Sequence, residues 1–269
     1  MATLSPHPLG LRPDLSDSLA APPLGLPQKK ELEDRFDVLS RRLDELQSAL
    51  AAEETRSLLV IFQGRDASGK DGTIKRVFGS MGPAHCRVVS FKRPTSTDLA
   101  HDYLWRIHAM VPPRGVVGIF NRSHYEDVLP VRVHRLVPEE VWRRRYDHIN
   151  AFERMLSDEG TVIRKFFLHI SKDEQLERLN ERLDQPRKNW KFEPGDLKER
   201  GLWDAYSEAY AEMLERCSTP FAPWYIVPAD KNKPRDFLVA EVIAEALEGM
   251  NPQYPAADPA VLALRGTLR

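Results

Sequence analysis

The stretch Ser57–Thr73, SLLVIFQGRDASGKDGT, limits what this chain can fold into more than any other. It opens with an apolar run that includes Val60 and Ile61, the composition of a strand covered on both faces. Gly64, Gly69 and Lys70 follow in the spacing G-x-x-x-x-G-K, and the residues beyond them suit a helix. Strand, glycine-bounded turn and helix in that order predict a phosphate cradle. Glycines let backbone amides turn inward, the lysine reaches anionic oxygens, and the helix start adds the positive end of its dipole. Gly64, Arg65, Ala67, Ser68, Gly69, Asp71 and Gly72 are therefore candidate phosphate-binding residues, and Lys70 a candidate catalytic one. Asp71 stands where such loops usually carry the Ser or Thr that helps hold Mg²⁺, so a metal ligand has to come from elsewhere. Asp66 is the nearest carboxylate able to face an ion that takes hard oxygen ligands.

The rest of the chain alternates strand-like and helix-like segments. Strands are predicted near 57–62, 87–91, 115–120, 161–170 and 224–227, and helices near 29–54, 71–80, 98–110, 138–157, 171–183, 203–216 and 234–248. Ser171 and Glu174 form a capping-box signature, and Pro138 before Glu139 and Glu140 marks another helix start. Such alternation predicts an α/β fold of the P-loop NTPase kind: a parallel sheet of about five strands, helices on both faces, and the ligand at the C-terminal strand ends. Residues 1–28 are broken by prolines and read as an arm lying on its own domain or on a second subunit; 29–250 form one domain; 251–269 form a tail. Leu32, Phe36, Leu39, Leu43, Leu46 and Leu50 share one face of the first helix, which suits either a docking helix or a short coiled-coil seam.

Composition narrows the partners. The 39 basic and 40 acidic residues nearly cancel, so the chain is no electrostatic glove for nucleic acid and any anion site is local. No apolar run reaches the ~20 residues of a membrane helix, which predicts no membrane partner. Two cysteines, Cys86 and Cys217, give no disulfide framework and no metal cluster, and a cytoplasmic location fits. The arm and first helix suggest a homo-oligomer.

A second group of polar residues follows the third strand, in FNRSHYEDVLPVRVHR, Phe120 to Arg135. Asn121 stands where an NTPase often carries an acidic metal ligand, and Arg122 can clamp a phosphoryl group with two parallel bonds. Pairing with Asp102 or Glu126 is the competing role for Arg122. A third group, RLDQPRKNWKFEPGDLKERG from Arg182 to Gly201, reads as a lid, with Arg178 and Arg182 on one face of the helix leading into it. Exposed loop decoration is the alternative.

The loop QGRDASGKDG, the strand end FNRSHYEDVL, the stretch FKRPTSTDLAHDYLWR and the lid LDQPRKNWKFEPGDLKER together resemble the family-2 polyphosphate kinases, with strand-end wording similar to their class III members. The resemblance implies an enzyme that moves phosphoryl groups between inorganic polyphosphate and nucleoside mono- and diphosphates with Mg²⁺. By motif match it assigns Asp66, Lys70, Arg122 and Arg182 to catalysis and adds Asp196, with Asp66, as a metal ligand. Asn121 replaces the Asp of the F-D-R-S motif found in other classes, which moves the metal burden to Asp66 and Asp196. On this reading Lys75, Lys92, Arg93, Arg178 and Lys188 contact phosphates, and Asn121, His124, Tyr125, Glu126 and Arg132 the nucleotide. An ATP-dependent nucleoside or nucleotide kinase and a nucleotide-switched binding module are the rival functions.

Overall fold

The computed structural model describes residues 3–267, so the outermost two residues of the arm and of the tail lie outside the described residues. Five strands form one sheet: β1 (Ser57–Gly64), β2 (Cys86–Ser90), β3 (Val117–Asn121), β4 (Thr161–His169) and β5 (Trp224–Pro228). Their spatial order is β2-β3-β1-β4-β5 and every pairing is parallel. β1 is central and buried along its whole length, which its unbroken apolar run requires. Leu58, Val60 and Phe62 point into one core and Leu59 and Ile61 into the other, as a two-residue period dictates. Each such side chain is worth about 1.5–3 kcal/mol when withdrawn from water.

Helices cover both faces. On one, α1 (Lys29–Glu53) packs along α10 (Asn232–Met250), beside α2 (Lys70–Val77). α1 buries Leu32, Phe36, Leu43, Leu46 and Leu50 in this core and so serves as a docking helix within the chain. On the other face lie α5 (Leu129–Val133), α6 (Glu139–Asp158) and α9 (Trp203–Cys217). α7 (Lys172–Asp184) follows β4 and leads into a 3-10 turn at Pro186–Lys191 and α8 (Gly195–Gly201).

The predicted helix over 98–110 is instead two single turns, α3 (Ser96–Leu99) and α4 (Trp105–His108). Thr95 and Asp98 form a reciprocal cap at the first, and Asp102 Oδ1 accepts the Leu104 amide at 2.9 Å. Side chains that bond nearby backbone in this way compete with the helical ladder.

The N-terminal segment lies on its own chain. The His7 amide donates to Trp224 O at 2.8 Å, Arg12 pairs with Glu215 at 3.0 Å, and the 3-10 turn Asp17–Ala20 caps the sheet where Asp230 N donates to Ala20 O at 3.1 Å. Its leucines divide: Leu4, Leu15 and Leu26 pack on the cores, whereas Leu9, Leu11, Leu19 and Leu24 remain exposed.

Candidate active site

Register alone brings three polar segments together. Phe62 lies opposite Asn121, and Gly64 opposite Leu168, so the β1 loop, the β3 end and the β4–α7 connection leave the sheet at one edge. That edge is the C-terminal one, where open parallel sheets bind ligands. A cavity of about 580 Å³ lies elsewhere, between the arm and α9, with Arg12, Arg132, Arg143, Glu208, Glu212 and Glu215 among its walls. Arg132 and Arg143 are both paired there with Glu212, so these opposed charges largely neutralise one another.

The loop from Gly64 to Gly69 needs glycine at both ends. Gly69 sits at φ +100°, and Gly64, at φ +154°, would bring a Cβ within 2.8 Å of Leu168 O. Between them Ala67 adopts φ +62°, an unusual conformation for a residue with a side chain. Five successive carbonyls are held by side chains. Lys70 Nζ donates to Gly64 O at 2.6 Å and Arg65 O at 3.1 Å, Gln175 to Asp66 O at 3.0 Å, Arg178 to Ala67 O at 2.9 Å and Arg235 to Ser68 O at 3.3 Å. With the carbonyls occupied, the loop is fixed in an amide-presenting form; among the described residues the amides of Asp66, Ala67 and Gly69 have no protein acceptor. That is the geometry of an anion nest.

Charge gathers over this nest. Arg122, itself at φ +62°, donates to Asp66 Oδ1 at 2.9 Å, so its hydrogen bond goes to the loop, while Glu126 acts on it through charge alone. Burial disfavours its charged form, but Glu126 and Asp66 outweigh burial and hold its pKa above the ordinary value. Lys70 is buried, and burial, reinforced by Arg122 and opposed by Asp66 and Glu126, pushes its pKa down to about 8. Burial raises the Glu126 carboxyl, against the pull of Arg122 and Lys70. The Gln63 amide lies between Glu126 Oε1 at 3.1 Å and Ser123 Oγ at 3.2 Å. Asn121 Nδ2 donates to Asp71 Oδ1 at 2.7 Å.

Residues 182–201, the segment expected to form a lid, reach the same place. Arg182 pairs with Asp196 Oδ2 at 3.3 Å, and Lys191 Nζ lies 4.0 Å from Asp71 Oδ2. Burial raises the Asp196 carboxyl, and Asp66 adds to the shift, so the two carboxylates lie within each other's field. Among the described residues no set of three or more His, Cys, Asp or Glu is arranged to hold a metal. A pair of carboxylates beside a phosphate nest instead suits Mg²⁺, which keeps several waters and takes one or two carboxylates plus substrate phosphates.

Several expected site residues are directed elsewhere. His124 and Tyr125 are wholly buried and bond Glu153 Oε1, each at 3.0 Å, beside Lys165, so they anchor the strand end rather than face a nucleotide. The Arg65 guanidinium stacks 3.8 Å from the Trp203 ring and donates to Ser207, leaving its backbone alone in the nest. Arg178 is consumed by Ala67 O, Ala229 O and Asp230 O, and supports the loop from behind. Arg132 pairs with Glu212 at 2.6 Å over the Trp142 ring. Lys188 is tied to Glu181 at 2.6 Å, whereas Lys75, Lys92 and Arg93 are exposed. Sequence reasoning missed Gln175 and Arg235; Arg235 shares the first turn of its helix with Lys233 and Asp236, and nothing in that charged start marks it out.

The polyphosphate kinase 2 family profile matches residues 27–255. An AMP/ADP-polyphosphate phosphotransferase of Meiothermus ruber is 57% identical over 223 residues, covering 83% of this chain and 84% of that protein. An ADP-polyphosphate phosphotransferase of Rhodopseudomonas palustris is 46% identical over 231 residues, covering 81% of this chain and 80% of that one. The crystal structure of polyphosphate kinase 2 from Arthrobacter aurescens TC1 superimposes with a TM-score of 0.89 at 40% identity, covering 100% of this chain and 99% of that one. With the nest, the strand-end arginine and the lid at one sheet edge, these matches have a common meaning: the chain belongs to the polyphosphate kinase 2 family and is a phosphotransferase.

Proposed function

We propose that this enzyme moves phosphoryl groups between inorganic polyphosphate and nucleoside mono- and diphosphates, AMP and ADP among them. The observation that carries the reading is the convergence of Lys70, Arg122 and Asp66 on one amide-presenting loop beneath a basic lid. The relative from Meiothermus ruber, named for AMP, ADP and polyphosphate, supports the choice of substrates.

In this reading the nest and Lys70 hold the terminal phosphate of the donor chain, and Lys70 exchanges Gly64 O and Arg65 O for phosphate oxygens. The acceptor's terminal phosphate has a second pKa of about 6, so its attacking oxygen is already ionised near neutral pH and no strong base is required. That oxygen forms a bond to the terminal phosphorus while the bond to the bridging oxygen breaks, and the shortened chain departs with the electron pair. Arg122 and Arg182 face the charge that spreads over the transferring oxygens. Arg182 reaches them when the lid over residues 182–201 closes, exchanging Asp196 for phosphate. Asp66 and Asp196 would hold Mg²⁺, which when bound supplies charge neutralisation to the phosphates. The exposed Lys75, Lys92 and Arg93 would follow an anionic polymer. Asn121 and Glu126 remain as the strand-end groups toward the acceptor.

No described helix is long and apolar enough to cross a membrane. Two free cysteines are consistent with a cytoplasmic enzyme, and a homo-oligomer is part of the same reading.

The donor decides between this function and an ATP-dependent kinase of the same fold. Incubating AMP or ADP with polyphosphate and Mg²⁺ without ATP is expected to yield ADP and ATP. Absence of transfer from polyphosphate, with transfer from ATP, would overturn the proposal.

A further inference from the structure

Arg235, in the first turn of α10, carries a charge that the reaction as described does not use. It is 1% exposed, and burial lowers its pKa against the opposing pull of Asp236. Guanidinium remains protonated under such a shift, so a positive charge is stored inside the protein. Its position is specific. Nη1 donates to Ser68 O at 3.3 Å and to Asn232 Oδ1 at 2.9 Å, and Nη2 lies 2.8 Å from Asp236 Oδ1. It lies so close beneath Gly69 that a Cβ there would come within 2.1 Å of Nη1.

One carboxylate answers this charge through two donors: Nε at 2.9 Å and Nη2 at 2.8 Å both meet Asp236 Oδ1. Asp236 is the one carboxylate paired with it among the described residues, and the same Oδ1 also accepts Thr73 Oγ1 of α2 at 2.9 Å. Lys70 and Arg178 hold the same loop, and Arg178 adds to the field that lowers the Arg235 pKa. Burying a charged pair this deeply is costly, and a hydrogen bond to the Ser68 carbonyl does not require it, since a neutral amide donor would serve. The guanidinium turns Nη1 to the loop, so a phosphate held there would feel its charge through a region where Coulombic terms are weakly screened.

We propose that Arg235 is a positioning residue for phosphate: from behind the loop it fixes Ser68 O outward and adds positive potential to the cradle without touching substrate. This rests on the loop being the phosphate site. Any side chain at Gly69, already disfavoured by φ +100°, would displace this guanidinium.

The test uses the full-length enzyme and inorganic tripolyphosphate as probe, with affinity measured by calorimetry and folding by circular dichroism. Arg235→Gln keeps a donor for Ser68 O and removes the charge; Arg235→Lys keeps the charge. Gln is expected to weaken tripolyphosphate binding about tenfold or more, and Lys to restore most of it. Asp236→Asn acts in the opposite sense: it retains an acceptor for Thr73 and leaves Arg235 unneutralised, so binding is expected to tighten. A purely structural role predicts that all three weaken binding in proportion to lost stability. Wild-type affinity in folded Arg235→Gln, or weakened binding in folded Asp236→Asn, would overturn the inference. Should either of these variants not fold, Arg235→Lys decides: lost stability with affinity retained supports the inference, and affinity lost in proportion to stability overturns it. A wild type that binds tripolyphosphate yet transfers nothing from polyphosphate refutes the proposed reaction and leaves the role of Arg235 standing.

Discussion

The low pKa of Lys70 makes the enzyme's alkaline limit calculable. Burial, helped by Arg122, brings this ammonium to about 8 despite Asp66 and Glu126 nearby. Between about pH 7 and about pH 9 the charged fraction in the free enzyme then falls about tenfold, and kcat/KM, which reports free-enzyme ionisations, should fall with it. Bound polyphosphate favours the charged form, so the limb in kcat should lie at higher pH. Other groups do not mimic this limb: the acceptor phosphate is ionised by pH 7, and Tyr210 beside the site is raised far beyond the range by burial. The measurement is initial-rate ATP formation from ADP and polyphosphate at fixed free Mg²⁺, with Lys70→Ala as control. Removing the ammonium should cost about 3–4 kcal/mol of transition-state stabilisation, on the order of 100- to 1000-fold in rate, and leave that residual rate independent of pH over the same interval.

The linked effect on stability has a fixed sign. The native state binds fewer protons than the unfolded chain between about 8 and the ordinary lysine value of about 10.4, so stability should rise with pH through that window. The cost of keeping Lys70 charged, about 3 kcal/mol, is fully present below the native value and disappears above the unfolded one. A kcat/KM flat to about pH 10 in folded wild-type enzyme would refute the reasoning, because the ammonium would then be either unburied or idle.

Three further outcomes follow from the geometry. Arg122→Lys loses the planar fork that bonds Asp66 and, in the proposed reaction, would also meet the transferring group, so kcat should fall about 100-fold with the fold unchanged by circular dichroism. Asp66→Asn should raise the Mg²⁺ concentration needed for half-maximal rate by about tenfold or more; an unchanged Mg²⁺ titration would remove Asp66 from the metal site. Glu153→Gln leaves Lys165 buried without a counter-charge at 0% exposure, and urea denaturation should show a loss of about 3–5 kcal/mol, while folded enzyme retains its KM values.

The periodic features of the chain are visible in its residues because they are local. The apolar run at 57–62, the glycines at 64 and 69 and the Ser171 cap each specify backbone geometry within a few residues, and β1, the loop and α7 form there. The alternation of strands and helices was enough to imply the parallel sheet, since parallel neighbours require a crossover between them. The helix expected over 98–110 failed for a local reason as well, because Asp98 and Asp102 bond the backbone in place of the ladder.

The fate of each charged side chain was not legible, because a guanidinium's partner is set by whatever distant segment packs beside it. Arg65, Arg132 and Arg178 look as available as Arg122 in the sequence, yet Trp203, Glu212 and the carbonyls of Ala67, Ala229 and Asp230 claim them. His124 and Tyr125 sit within a polar run but face inward, since the buried Glu153 and Lys165 of other elements need their hydrogen bonds. Arg235 reads as a surface charge at a helix start and becomes the cation beneath the loop only once α10 is laid against α2. Residue spacing alone marked out the glycine-bounded loop, its lysine and the strands of the sheet, because each is specified by adjacent residues. Tertiary structure decided which arginines meet the loop and which are claimed elsewhere, because charge compensation is a property of neighbours in space.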